Sequence, residues 1–76
     1  MMSKRIVPIA VAEKLLRTTG AERISLKAKT MLCTELERIG TELGRRAARL
    51  SRHAGRKTVN HTDVEEATRQ YLPARL

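Results

Sequence analysis

At 76 residues the chain is near the size at which one domain struggles to bury enough surface to offset its conformational entropy, and the usual staples of small proteins are missing. Its one cysteine, Cys33, cannot close an internal disulfide, no Cys/His group has zinc spacing, and a lone aromatic, Tyr71, offers no platform for stacking single-stranded bases. A net charge of +8, a pI near 10.9 and a 32% share of charged residues, spread along the chain and not gathered in a tail, favour a polyanionic partner.

Met1-Met2-Ser3-Lys4-Arg5 reads as a short basic arm over 1–5. It lacks the apolar stretch of a signal peptide, and no run approaches a membrane span, so a soluble intracellular protein is expected, in a reducing compartment that suits the lone thiol. Pro8 stands where a first helical residue would, its missing N–H harmless there. Ile9, Ala12, Leu15 and Leu16 fall at helical spacing, with Glu13 and Arg17 as an i,i+4 pair outside. Thr18-Thr19 are weak helix formers and Gly20 stops the run, which predicts a helix over 8–18. Ala21 to Ile24 connect, and Ser25 suits an N-cap.

Ala28, Leu32, Leu36, Ile39, Leu43, Ala47, Leu50 and Ala54 then keep helical phase without a break, predicting one helix over 26–53, roughly 40 Å long. Gly40 and Gly44 inside it each cost about 1 kcal/mol relative to alanine; the preferred reading is a flat spot where another helix crosses closely, the plainer one a tolerated weakness. Cys33, beside Leu32, reads as a core-edge thiol and not a nucleophile. Of Arg45, Arg46, Arg49 and Arg52, two can pair with Glu42. The others lack an obvious partner, so charge facing a polyanion is preferred to a solvated face.

The most informative stretch is His53 to Ala67. Gly55 can take the left-handed conformation that closes a helix. Lys57-Thr58-Val59 is a brief extended segment with Arg56 and Lys57 at its mouth, and Asn60 with Asp63, or Thr62 with Glu65, can cap a new helix. That helix is predicted over 61–71, with Val64, Ala67, Thr68 and Tyr71 inward, Glu65 paired to Arg69, and Pro73 as its stop. Residues 73–76 are a stub.

Two helices of roughly 16 Å cannot cover a stripe of roughly 40 Å. A second copy, its long helix crossing near Gly40 and Gly44, solves this, and twofold dimers are the commonest oligomers. Such a dimer sets the loop carrying Arg23 beside the partner's basic loop at Arg56-Lys57-Thr58.

Pro8-Ile9-Ala10, Gly20-Ala21-Glu22-Arg23-Ile24-Ser25, Arg52-His53-Ala54-Gly55-Arg56-Lys57-Thr58-Val59 and Asp63-Val64-Glu65 resemble, in order and spacing, the archaeal histones. The likeness covers about residues 6–72. It implies an all-α histone fold (short helix, loop, long central helix, loop, short helix) in a handshake homodimer on double-stranded DNA. Histones are a known case of binding through backbone contacts and deformability, so that mechanism comes with the resemblance alone. By similarity Arg23 enters or borders the minor groove, Lys57 and Thr58 contact phosphates, and Lys14 reaches the backbone; Arg17 and Arg56 count among the DNA-binding residues. Arg56 and Asp63 resemble the family's ion pair between loop and last helix. Leu50, His53, Asp63 and Glu66 match positions where dimer meets dimer. Glu66 stands where the family usually has an apolar residue, and an unpaired carboxylate there costs desolvation, so weak tetramers are expected without DNA. Glu35 likewise replaces an often apolar residue, and Leu26-Lys27 an acidic helix start, which suits phosphate better than the helix dipole.

His53 and His61 have no partner at ligand spacing, so no metal, cofactor, small-molecule substrate or catalytic site is expected. The leading reading is a chromosome-associated protein of the nucleoid that dimerises and bends, wraps or compacts duplex DNA without sequence preference, with tetramers or larger assemblies on DNA. The alternative is a histone-fold subunit of a heteromeric transcription complex, against which the +8 charge and two basic loops count. A basic amphipathic helix protein of membranes or ribosomes is disfavoured by the missing aromatic anchors.

Overall fold

The computed structural model describes residues 5–72; residues 1–4 of the arm and the stub with Pro73 lie outside them. Three helices follow one another, α1 (Ile9–Thr18), α2 (Leu26–His53) and α3 (His61–Tyr71), with no strand among the described residues. The chain divides into two compact units, the first ending at Arg38 and the second starting at Ile39. α2 contributes to both.

In the first unit α1 begins one residue later than the sequence predicts. Pro8 is extended, with φ −65° and ψ 148°, and caps the helix, its carbonyl accepting from the Val11 N–H at 3.1 Å. The reason lies upstream: the Ile6 and Val7 N–H groups both donate to Glu37 Oε2, at 2.6 and 2.8 Å, and Cys33 Sγ lies 3.6 Å from the Pro8 carbonyl. A segment whose Ile6 and Val7 amides are held by Glu37 on α2 cannot also be the first helical turn. Ser25 caps α2 as expected, its Oγ accepting from the Ala28 N–H at 3.0 Å. Glu13 binds Arg17 within α1 and Lys29 on α2, at 2.9 and 3.4 Å. Both contacts hold its carboxyl below the usual range, the Arg17 hydrogen bond most strongly.

In the second unit α2 ends in a Schellman closure. Gly55, at φ +75°, donates to the Arg52 carbonyl and Arg56 N–H to that of Ser51, each at 2.9 Å. Asn60 and Asp63, not Thr62 and Glu65, start α3: the Asn60 N–H donates to Asp63 Oδ2 at 2.8 Å. Arg69 pairs with Glu66 at 2.9 Å, not with Glu65 as predicted. Spacings of three and four are both neighbours on a helix, so either glutamate is within reach of Arg69.

Among the described residues the apolar side chains fully buried are small: Ala12, Cys33, Ala47 and Ala67. Leu32, Leu36, Ile39, Leu43 and Leu50 are only half-buried, and Leu15, Met31 and Val64 are exposed. Val64, predicted to face inward, keeps 42% of its surface because nothing in the single chain covers it.

Candidate nucleic-acid interface

The loop from Ala54 to Asn60 is built around one fork. Arg56 Nη1 and Nη2 donate to Asp63 Oδ2 and Oδ1, both at 3.0 Å, and Nη1 also reaches the Thr58 carbonyl at 2.9 Å. This bidentate geometry is the strong form of the contact, and Asp63 is almost fully buried beneath it. The Arg56 fork and the Asn60 N–H together hold the Asp63 carboxyl down at about 2, and the same fork raises the guanidinium. Since Arg56 draws the Thr58 carbonyl back, Lys57 and Thr58 form a bend where an extended piece is predicted. Arg56 is consumed by this clamp. Lys57 and Thr58 stand exposed beyond it, with no partner for the lysine among the described residues.

In the first unit Arg23 is exposed in the loop after α1, which turns on Gly20 at φ +95°, and Lys14 is exposed on α1. Neither has a partner among the described residues. Arg17 is held: besides Glu13 it donates to the Glu22 carbonyl at 3.3 Å, tying the helix end to the loop. Of the predicted DNA-binding residues, Lys14, Arg23, Lys57 and Thr58 are thus free to take a phosphate, while Arg17 and Arg56 already shape loops.

The predicted dimer–dimer residues lie in the second unit. Leu50 is half-buried and His53 exposed, whereas the Asp63 oxygens are occupied by Arg56 and Asn60, and Glu66 by Arg69. Arg46 packs over the Tyr71 ring, 5.1 Å from its centroid, and shares Glu42 with Arg45. Sequence reasoning missed the Glu37 contact with Ile6 and Val7. No periodicity announces it, because its partners are two backbone N–H groups, those of Ile6 and Val7. Among the described residues no helix is long and apolar enough to cross a membrane, and no group of three His, Cys, Asp or Glu is placed to hold a metal ion.

Residues 5–68 match the family described as "Histone-like transcription factor (CBF/NF-Y) and archaeal histone". Over 63 residues, 83% of this chain and 94% of the relative, the sequence is 44% identical to one of the subunits of the archaeal histone HAN1 of Thermococcus zilligii. It is 38% identical, over the same shares, to the probable archaeal histone 3 of Methanocaldococcus jannaschii.

Proposed function

The chain belongs to the family of histone-like transcription factors and archaeal histones, and from that premise we propose that it is a chromosome-associated protein that binds duplex DNA without sequence preference as a handshake homodimer. One observation carries the DNA reading: Arg56 is fixed by Asp63 so that Lys57 and Thr58 project from a loop already shaped before any ligand arrives. Arg23 and Lys14 supply the matching free cations of the first unit. Residues 6–72 form the histone-fold domain of this reading.

The small core supports the dimer. Five half-buried aliphatic residues along α2 need covering, and a Cβ added at Gly40 or Gly44 meets nothing within 4 Å, leaving that stretch open to a second helix. Glu66 is neutralised by Arg69 but stays a polar group where dimer meets dimer, so tetramers are weak without DNA. Crosslinking checks this: Glu66→Leu should raise the tetramer band, and an unchanged ladder would mean the carboxylate is accommodated.

Size exclusion with light scattering should give the mass of a dimer, and a lone unfolded chain would end the homodimer reading in favour of a heteromeric one. Log affinity for duplex DNA should fall with log salt, and Arg23→Ala and Lys57→Ala should each lower that slope by about 0.9 on all sequences alike. A flat salt response would end the DNA reading.

A further inference from the structure

The second half of α2 carries three arginines that neither loop site uses. At about 100° per residue, Arg45, Arg49 and Arg52 fall within an arc of about 60°. All three are exposed. Ile39, Leu43, Ala47, Leu50 and Ser51 centre roughly 160° round the helix from them. Covering the apolar stripe with a second copy therefore leaves the arginine face bare. The basic loop is tied to α3 and not to this face, since Arg56 pairs with buried Asp63, while Arg46, roughly 90° round α2 from the three arginines, stacks on Tyr71 at the other end of α3.

Like charges at i,i+4 repel on a helix, and only Arg45 has a carboxylate, shared with Arg46. Arg49 and Arg52 have no partner among the described residues. Another copy cannot supply one easily. Of the eight acidic side chains, Glu13, Glu35, Glu42, Asp63 and Glu66 are held by cations and Glu37 by the Ile6 and Val7 amides, which leaves Glu22 and Glu65. A regular row of anions is the chemistry that fits, and a duplex presents one charge per about 1.7 Å of axis.

We propose that Arg45, Arg49 and Arg52 form a second phosphate-binding face that takes the backbone of a second DNA duplex, so that the protein bridges two duplexes. The proposal rests on the DNA reading above, and its test separates the two. One duplex is tethered to beads, protein is added, and retention of a labelled free duplex is measured. In parallel, binding of one short duplex is followed across a salt titration. The parent should retain the labelled duplex, and R45Q/R49Q/R52Q should lose that retention while its short-duplex slope changes by less than the 0.9 or so of one phosphate. Glutamine keeps the helix propensity of arginine. If the triple change nonetheless lowers helix content, Arg49→Gln alone should move the retention midpoint to lower salt. A parent that binds the short duplex but bridges nothing overturns the proposal, as does a variant that bridges like the parent. A fall of about 2.7 in the short-duplex slope also overturns it, by placing the arginines on the first duplex. Absence of short-duplex binding by the parent overturns the DNA reading and this proposal with it.

Discussion

The loop after α1 and the loop after α2 each turn on a glycine at positive φ, Gly20 at +95° and Gly55 at +75°, and each exposes a cation, yet beyond the glycine they are built differently. The second is closed by the Schellman bonds, by the Arg56 fork on Asp63 and by the Asn60 N–H on the same carboxylate. The first has only single side-chain bonds to the backbone among its described residues, Thr19 to the Leu16 carbonyl, Arg17 to the Glu22 carbonyl and Ser25 from the Ala28 N–H, with no forked ion pair, and Arg23 touches no carboxylate among the described residues. A cation on a loop already fixed loses less freedom on binding than one whose loop must be ordered at that moment. On the proposed DNA reading the two loops would divide the work, Lys57 providing a preset contact and Arg23 an adaptable one.

The largest effect on that comparison should come from Asp63→Ala, which strips three hydrogen bonds from one carboxylate and leaves the guanidinium of Arg56 unpaired in a half-buried position. Thermal stability should fall further than for any other change named here, and amides 56–60 should exchange as fast as those of the first loop. A melting temperature close to the parent's would mean the second loop is no more fixed than the first. The same carboxyl sets an acid limb. Its folded pKa is depressed from 3.8 to about 2, so its stabilisation is complete above about pH 4 and is lost as pH falls from there toward 2. Unfolding midpoints of the parent and Asp63→Asn should converge across that window, and parallel curves would assign the acid limb elsewhere.

Gly55→Ala comes next. A side chain in the left-handed region costs roughly 1–2 kcal/mol, or about 4–8 °C in Tm per kcal/mol for a domain this size. Gly20→Ala meets the same intrinsic cost but should lose less, because the looser loop can shift its backbone. Equal losses would erase the distinction. The smallest change is Ser25→Ala, about 1 kcal/mol for the lost cap on α2, at the boundary of the first loop. Calorimetry on these variants measures the losses directly.

Helix bounds are legible in the sequence because the signals behind them are local. The apolar phase of α2, Ser25 at its start and Gly55 at its end are enough to mark 26–53, and the Arg56–Asp63 pair is legible through resemblance. What stays hidden depends on choices among near neighbours. Arg69 can reach Glu65 or Glu66, and spacing alone does not choose Glu66, the partner it takes. Pro8 satisfies both a first-turn and a cap position; the choice falls to Glu37, thirty residues away from the Val7 N–H it holds. Arg17 and Lys14 are equally available by spacing, and a backbone carbonyl of the next loop takes part of the Arg17 guanidinium.

Among the described residues the fully buried apolar ones are four small side chains, which bears on how this protein melts. On the dimer reading most of the heat-capacity increment of unfolding belongs to the interface, because apolar surface leaves water mainly when two chains meet. Folding then follows mass action: Tm should climb with total protein, and dilution at constant temperature should unfold the chain as heating does. In a cell, the supply of the protein would itself become a determinant of its stability.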